Sequence, residues 1–239
     1  MKYELIIFDV GKTLYDKNFS TRASDYVLRD IDALRKKGMK VGVCTMRTVQ
    51  HCREVVPAEL DFYISLNGSY IICEGKNIVN KPTTVPLKHI DYLSYGENNT
   101  YYSTKKAKEL ADLNGFLAER QGTTLTAYNV VLFDVPEDKL SNYDNYTVEY
   151  WSKTRALSLQ DKNTSRAIGI QEVMRFYNVK LPILYFGDGP NDLEIFRLYK
   201  DCICMGDCCS ELKQFALFQT ESCKNEGVPI ALRKLNLLL

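Results

Sequence analysis

The sequence predicts an α/β fold, a doubly wound parallel sheet into which a second, α+β unit is inserted. Two observations predict the sheet: short apolar runs that end at polar residues alternate with helical stretches up to residue 75, and the same alternation resumes at residue 166. Such alternation is typical of parallel strands with helices on both faces. A third observation predicts the insertion, because a stretch of about 75 residues with a different rhythm is long enough for a small domain.

The first half of the predicted sheet contains three strands and two helices. The apolar run over residues 5–8 predicts a strand buried on both faces. A helix is predicted over residues 20–37, because Val27, Ile31 and Leu34 recur at helical spacing and Gly38 follows where a C-cap belongs. The remaining predictions are a strand over 41–44, a helix over 48–55 and a strand over 62–66.

The middle and the end of the chain complete the predicted organisation. In the middle we predict a helix over 103–119, strands over 129–134 and 146–151, and loops over 92–102 and 141–145. The last part is predicted to contain helices over 166–177 and 192–199 and strands over 183–186 and 202–205. These predictions assign residues 1–81 and 157–239 to the core domain and residues 82–156 to an inserted cap domain.

Composition excludes several classes of protein. The 239 residues carry 31 Lys and Arg against 30 Asp and Glu, whereas a nucleic-acid-binding domain normally has a basic excess. Apolar runs stay well short of the ~18–20 residues that span a bilayer, and the apolar run before Asp9 is too short for a signal peptide. We therefore expect a cytoplasmic protein with neither a nucleic-acid nor a membrane partner.

The eight cysteines are predicted to be reduced thiols, several of them buried. Cys202, Cys204, Cys208 and Cys209 lie close together, but their spacing does not form the CxxC pair of a zinc site. The chain also has only two histidines to complete such a site.

Polar side chains follow each predicted strand of the core. Parallel strands share one carboxyl edge, where ligands of α/β sheets bind. Three carboxylates at one edge repel each other unless a cation lies among them, and Mg²⁺ prefers such oxygen ligands together with phosphate oxygens. An aspartate beside the metal can act as a nucleophile in phosphoryl transfer. The residues concerned are Asp9, Thr45, Arg47, Asn67, Asp188, Asn191 and Asp192.

Four segments carry a resemblance to a known family. FDVGKTL at 8–14 resembles DxDGTL, CTMR at 44–47 resembles (A/T)TGR, SRAIGI at 165–170 resembles a helix start that normally carries a lysine, and FGDGPND at 186–192 matches GDGxND. In these segments the chain resembles the haloacid-dehalogenase-like (HAD) superfamily of phosphatases, and within it the Cof-like subfamily with a type 2B cap. The resemblance extends over the whole chain and is weakest across the cap.

This resemblance implies a HAD-like Rossmannoid core and a magnesium-dependent phosphatase. The enzyme would hydrolyse a small phosphorylated metabolite of the sugar-phosphate type through an aspartyl-phosphate intermediate. The implied catalytic residues are Asp9 as the nucleophile, with Thr45 and Arg166 on the phosphoryl group. The implied metal ligands are Asp9, Gly11 through its carbonyl, Asp188 and Asp192. The implied substrate-binding residues are Thr45, Arg47, Asn67, Arg166 and Asn191.

The first and third motifs depart from the family. Gly11 stands where the family has a second aspartate that serves as general acid and base, and loss of such catalysis costs about 10²–10⁴-fold in rate. Lys12 replaces the glycine of DGT. Arg166 stands in place of the usual lysine, and a guanidinium does not substitute conservatively for an ammonium. Lys162 is an alternative for that position, but the segment after Arg166 keeps the family's rhythm.

Other interpretations of the same residues remain open. A catalytically inactive relative that binds phosphometabolites or a protein partner without turnover is the main alternative, and Gly11 favours it. Asp9, Asp188 and Asp192 could each be turn or helix-start residues, but the four motifs in order favour a metal site. A P-loop is disfavoured, because Gly11-Lys12-Thr13 lacks the required earlier glycine and has Ile6 there.

Overall fold

The computed structural model describes residues 2–84, 91–124, 126–180 and 182–238. Up to residue 65 the chain alternates strands and helices as predicted, and an antiparallel hairpin follows before residue 84. These elements are Leu5–Phe8 (β1), Asp25–Lys36 (α1), Lys40–Cys44 (β2), Val49–Val55 (α2), Phe62–Ser65 (β3), Tyr70–Cys73 (β4) and Lys76–Asn80 (β5).

The middle of the chain is rich in strands, and alternation returns after residue 165. The middle elements are Tyr92–Tyr95 (β6), Thr100–Tyr102 (β7), Lys105–Asn114 (α3), Arg120–Gln121 (β8), Asn129–Leu132 (β9), Tyr146–Trp151 (β10) and Ala156–Asp161 (β11). The last elements are Arg166–Tyr177 (α4), Ile183–Gly187 (β12), Leu193–Leu198 (α5), Cys202–Cys204 (β13), Ser210–Lys213 (α6), Phe218–Gln219 (β14) and Gly227–Lys234 (α7). Every helix of the described residues is too short or too polar to cross a lipid bilayer.

The first sheet has eight strands in the order β14-β13-β12-β1-β2-β3-β4-β5. Its strands are parallel from β14 to β3, and β4 and β5 are antiparallel to their neighbours. The strand order reverses direction at β1, with β2 on one side and β12 on the other. This is the position at which α/β sheets form a ligand crevice.

Helices cover both faces of this sheet. Ile6 and Phe8 of β1 point to the face where α1, α2 and α7 pack, whereas Leu5 and Ile7 belong to the core formed with α4, α5 and α6. A strand that is apolar at every position requires burial on both faces. The prediction of a doubly wound α/β core is therefore confirmed. All eight cysteines are free thiols, and six of them are buried.

The second sheet has six strands in the order β10-β11-β9-β6-β7-β8. Helix α3 packs on one face through Ala107 and Ala111, which join a cluster with Leu93 and Tyr95. The other face has its own small core around Val130 and other residues of β9 and β11. The unit is the α+β insertion that the sequence predicts.

The prediction of a loop over 92–102 is wrong, because β6 and β7 occupy most of that segment. Both strands pair with each other, and β6 also pairs with β9, which lies about 35 residues further along the chain. Tyr favours strands, but the segment 96–99 contains Gly and Asn, which are depleted in strands, so long-range pairing decides the outcome. The helix predicted over 103–119 ends earlier, at Asn114, because Gly115 adopts a left-handed conformation with φ of 77°.

The second sheet also extends beyond the predicted end of the insertion at residue 156. Strand β11, Ala156–Asp161, pairs with β10 and β9 in antiparallel register. The core was predicted to resume at residue 157, but residues 157–161 lie in the second sheet. The sequence predicts no strand over residues 156–161.

Candidate active site

A cavity of about 250 Å³ opens at the carboxyl ends of β1, β2 and β12. The core contributes residues of all four sequence motifs to its wall, including Asp9, Thr45, Arg166 and Asp188. The inserted unit contributes Tyr95 and three residues that follow α3. The site predicted from the sequence is therefore assembled in the structure between the two sheets.

Three carboxylates meet at the floor of this cavity. Asp9 follows β1, and Asp188 and Asp192 lie in the loop after β12. One oxygen of each lies within 4.8 Å of the others. The backbone N–H of Asp9 donates to the carbonyl of Phe186 at 2.8 Å, so the parallel pairing of β1 and β12 positions the first carboxylate against the second loop.

Asp192 differs from the other two acids in its hydrogen bonding. It is fully buried, and its Oδ1 accepts from Arg166 Nη1 at 2.7 Å and from the Tyr185 hydroxyl at 2.6 Å. Its Oδ2 accepts from the backbone N–H groups of Asp188 and Gly189, each at 3.0 Å. Four donors thus hold this carboxylate, which indicates that Asp192 shapes the loop and supports the site from behind.

Burial and mutual repulsion perturb the other two acids. Burial, reinforced by the charge on Asp192, raises the pKa of Asp9 to about 7. Burial and the charge on Asp9 raise the pKa of Asp188 to about 9. Both carboxylates are therefore poorly compensated by the protein alone, as expected for groups that would bind a cation.

Arg166 is the central cation of the cluster and is 4% exposed. Its Nη1 donates to Asp9 Oδ1 at 3.1 Å as well as to Asp192, and its Nε donates to Asn67 Oδ1 at 2.9 Å. Burial alone would lower the pKa of this guanidinium, but the charges of Asp9 and Asp192 raise it well above its ordinary value. The N-cap Ser165 begins α4 one residue earlier and so fixes the direction of the side chain.

Of the two candidates for the third motif, only Arg166 lies beside the acids. Lys162 is exposed on the turn after β11, and its Nζ donates to the carbonyl of Asp144 in the inserted unit. Asn191 lies next to Arg166. The side-chain amide of Asn191 satisfies its neighbours when its oxygen faces the guanidinium, where it accepts from Nη2 and, at 3.2 Å, from Nη1.

Thr45 and Gly11 line this cavity, and Asn67 lies beside Arg166. Thr45 is buried in the cavity wall, and its Oγ1 accepts from the backbone N–H of Arg47 at 3.3 Å. The backbone N–H of Asn67 donates to the Thr45 carbonyl at 3.0 Å, so the ends of β2 and β3 are joined. Gly11 lines the cavity directly after Asp9.

Arg47 lies against Gly11 and is held by two aromatic side chains. Its Nη1 donates to His51 Nε2 at 2.9 Å, and His51 Nε2 is also hydrogen-bonded to the Tyr15 hydroxyl at 3.1 Å. Burial, together with the Arg47 charge, lowers the pKa of His51 to about 4, so the imidazole is neutral. The guanidinium also lies 5.5 Å from the centre of the Tyr15 ring.

The structure adds residues to the site that the sequence analysis missed. Tyr95, Phe116 and Leu117 line the cavity from the inserted unit. Glu149 of β10 lines a neighbouring cavity of about 320 Å³ that shares Arg166 and Asn191 with the first. Burial raises the pKa of Glu149 to about 7. No local signal marks these residues, because their position depends on how the second sheet lies over the first.

The donor set fits a divalent cation. Asp9 and Asp188 offer carboxylate oxygens with raised pKa values, and Gly11 offers a carbonyl in the same wall. Hard oxygen ligands of this kind suit Mg²⁺. Four hydrogen bonds, one of them from Arg166, already satisfy Asp192, so among the described residues Asp9 and Asp188 are the carboxylates free to bind the ion.

Comparison with curated proteins finds phosphatases. The chain is 25% identical over 270 aligned residues to a Streptococcus pyogenes protein named as a bifunctional phosphatase and peptidyl-prolyl cis-trans isomerase. That alignment covers 99% of this chain but 55% of the relative, so the chain spans about half the length of this relative. The chain is also 24% identical over 261 aligned residues to the Bacillus subtilis protein YkrA, named as a phosphatase, with both chains covered completely.

Solved structures share the fold. One described as the HAD subclass IIB sugar phosphatase BT4131 superposes with a TM-score of 0.80 at 18% identity, covering 98% of this chain and all of the other. Residues 6–232 match the family described as haloacid dehalogenase-like hydrolase. The match spans both parts of the core and the insertion between them, and it confirms the resemblance that the four motifs carry. The chain therefore belongs to the haloacid dehalogenase-like hydrolase family.

Proposed function

We propose that the protein is a magnesium-dependent phosphatase that hydrolyses small phosphorylated metabolites of the sugar-phosphate type. Family membership and the relatives named as phosphatases support a phosphoric monoester hydrolase. The subclass IIB neighbour described as a sugar phosphatase supports the substrate type. One observation carries the proposal: Asp9, Arg166 and Asp188 converge in a cavity of about 250 Å³ at the carboxyl edge of the sheet.

Asp9 is the proposed nucleophile. One carboxylate oxygen would attack phosphorus, the bond from phosphorus to the leaving oxygen would break, and water would then hydrolyse the aspartyl-phosphate. The contact of Arg166 Nη1 with Asp9 at 3.1 Å holds the carboxylate in one orientation. The remaining guanidinium hydrogens and the Thr45 hydroxyl are the proposed donors to phosphoryl oxygens.

Asp9 and Asp188, with the Gly11 carbonyl, are the proposed ligands of Mg²⁺. The ion would supply positive charge against the phosphoryl oxygens and the carboxylate nucleophile. Asp192 supports the site by fixing the backbone of Asp188 and the position of Arg166. Asn67 and Asn191 orient that arginine, and Arg47 contacts the substrate beyond the phosphate.

The test is release of phosphate from p-nitrophenyl phosphate with and without Mg²⁺. We expect turnover that EDTA abolishes and that Asp9→Asn lowers by about 10⁴–10⁶-fold, as removal of a nucleophile does elsewhere. Asp32→Asn is the matched control, because Asp32 is an exposed carboxylate of α1 that pairs with Lys36 on the surface. Turnover that survives in Asp9→Asn would contradict the assignment of the nucleophile.

Gly11 favours one alternative, a protein that binds phosphorylated metabolites without turnover. In that case wild type would bind a phosphate ester in the presence of Mg²⁺ by calorimetry and release no phosphate. Appearance of activity in Gly11→Asp alone would support this alternative over an active enzyme.

A further inference from the structure

The leaving-group side of the cavity has an unusual composition. The phosphate attached to a substrate must lie at Asp9, so the rest of the substrate faces the wall formed by position 11 and by the inserted unit. That wall contains Gly11, Arg47 and Tyr95, with Met46, Phe116 and Leu117 as apolar neighbours. Among the described residues, the carboxyl groups that line this cavity are Asp9 and Asp188, and both belong to the proposed metal site.

Arg47 occupies the space into which a side chain at position 11 would extend. A Cβ atom built on Gly11 would lie 3.2 Å from Arg47 Nη2. The 2.9 Å contact with His51 and the ring of Tyr15 hold the guanidinium there. His51 and Tyr15 are hydrogen-bonded to each other, so the two residues that hold Arg47 are themselves fixed. The site thus has a fixed guanidinium charge beside position 11, and Lys12 adds an ammonium to the same cavity wall.

Tyr95 supplies a second donor on the same wall. The side chain is 1% exposed, and its hydroxyl is buried with no hydrogen-bond partner among the described residues. A buried hydroxyl without a partner is destabilising, so such groups are normally explained by a ligand or by water. Tyr95 is the last residue of β6, a strand of the inserted unit, and it lines the same cavity as Arg47.

Glu149 is a further acid that approaches the cluster. Its Oε1 is also buried without a partner among the described residues. Glu149 lines the neighbouring cavity together with Glu194 and Gln160, on the side of Arg166 that faces Asn67. Neither Gly11 nor Arg47 lines that second cavity. Glu149 therefore lies away from the leaving-group wall.

We propose that Arg47 and Tyr95 form a leaving-group site that stabilises the departing oxygen as an anion. The inference rests on the proposed function and narrows its substrates to phosphoric monoesters whose leaving oxygen is a stabilised anion. Among sugar phosphates these are the anomeric phosphates, and aryl and enol phosphates share the property. The Asp9 oxygen forms its bond to phosphorus while the bond to the leaving oxygen breaks. The electron pair stays on that oxygen, which takes a proton from water after release.

Phenyl phosphate and benzyl phosphate form a matched pair of probes. Both carry one aromatic ring, but phenoxide is a stabilised anion and benzyl alkoxide is not. In wild type with Mg²⁺ we expect kcat/KM to be higher for phenyl than for benzyl phosphate by about 10²-fold or more, the range that general acid catalysis otherwise supplies. Gly11→Asp introduces a carboxyl at that position, and it should reduce this ratio by about 10²-fold.

Variants of the wall test the two donors. Arg47→Met should lower kcat/KM for phenyl phosphate by about 10²–10³-fold, as loss of an oxyanion donor does, and Arg47→Lys should recover part of it. Tyr95→Phe should lower kcat/KM for phenyl phosphate by about tenfold or more, as expected for the loss of a hydrogen bond to a charged group. Both variants should lose more kcat/KM for benzyl phosphate than for phenyl phosphate, so the ratio of phenyl to benzyl turnover should increase. Thermal unfolding of each variant identifies any loss that comes from misfolding.

Glu149→Gln is the control for the competing acid. We expect the ratio of phenyl to benzyl phosphate to stay within about threefold of wild type, a span of less than 1 kcal/mol. A selective loss of benzyl phosphate turnover in Glu149→Gln would identify Glu149 as the acid and overturn the proposal. Equal turnover of the two esters in wild type would overturn it as well. By contrast, absence of any Asp9-dependent turnover of p-nitrophenyl phosphate would overturn the proposed function itself.

Discussion

The two acidic loops of the site differ in how completely the protein satisfies them. In the loop after β12, all four hydrogen bonds of the Asp192 carboxylate come from the protein, and two of them fix the backbone of residues 188 and 189. In the loop after β1, Gly11 has no side chain, and a cation from another strand end lies against it. Lys12 follows with a left-handed backbone, φ 57°.

This difference separates the two tasks of a phosphoryl-transfer site. The loop after β12 is closely constrained, because it positions charges around a nucleophile and a metal. The loop after β1 keeps its nucleophile, Asp9, but the part that faces the leaving group has changed. We expect substitutions in the loop after β12 to act mainly on stability. Substitutions near Gly11 should act mainly on substrate choice.

The largest effect on the free energy of unfolding is expected for Asp192→Ala. This substitution leaves two backbone N–H groups and the Tyr185 hydroxyl without their acceptor and removes one of the two carboxylates that pair with buried Arg166. Breaking a buried ion pair costs about 3–5 kcal/mol. Urea unfolding measures the change. Asp32→Ala, which breaks an exposed pair with Lys36, should cost about 1 kcal/mol or less.

Alanine at the two glycines compares the loops directly. At position 187 a Cβ would lie 2.5 Å from Asp192 Oδ2, an atom held by two hydrogen bonds, so Gly187→Ala should destabilise by about 1–3 kcal/mol. At position 11 the nearest atom is Arg47 Nη2 at 3.2 Å, which needs to shift by only a few tenths of an ångström, so Gly11→Ala should cost about 0.5 kcal/mol or less. Similar losses at both positions would contradict the difference between the loops.

Arg166→Lys tests the departure in the third motif. An ammonium keeps the charge but cannot reach Asn67 Oδ1, Asp9 and Asp192 with the same planar geometry. We expect a loss of about 1–2 kcal/mol in stability, because one buried acceptor remains without a donor. Thermal unfolding of both forms measures this, and Lys162→Met, at an exposed position, serves as the control. A neutral result would show that the guanidinium geometry is not required.

Mg²⁺ is expected to raise the melting temperature by a smaller amount that depends on pH. Folding raises the pKa of Asp9 from its ordinary value of 3.8 to about 7 and that of Asp188 from 3.8 to about 9. The native state then holds protons that the unfolded state has lost, so the metal-free protein loses stability as the pH rises from about 4 to about 9. Bound Mg²⁺ favours the ionised carboxylates.

The shift in melting temperature that Mg²⁺ produces should therefore be larger at about pH 8 than at about pH 6. Differential scanning calorimetry at the two pH values measures this shift. Asp188→Asn should abolish most of the shift at both. A shift that is independent of pH would indicate that the ion does not bind to these two carboxylates.

Much of the core could be predicted because its signals are local. The apolar runs of β1, β2, β3 and β12 each end at a polar motif, and the structure brings the motif residues to one edge as predicted. The second sheet was predicted less well. Strand β6 was assigned to a loop and β11 was missed. Both strands pair with β9, which lies tens of residues away, so their local sequence carries only part of the signal.

The sequence by itself determined the α/β core, the family and the identity of the acids, since strand burial and motif spacing are properties of short segments. Only the tertiary structure decided what those residues contact. It shows that Arg166 and not Lys162 lies beside Asp9, that Asp192 is satisfied by four donors, and that Arg47 lies against Gly11. Arg166 and Asp9 are 157 positions apart in the chain, and Arg47 and Gly11 are 36 apart (47 − 11). Contacts between residues so far apart are set by the packing of whole elements rather than by any local pattern.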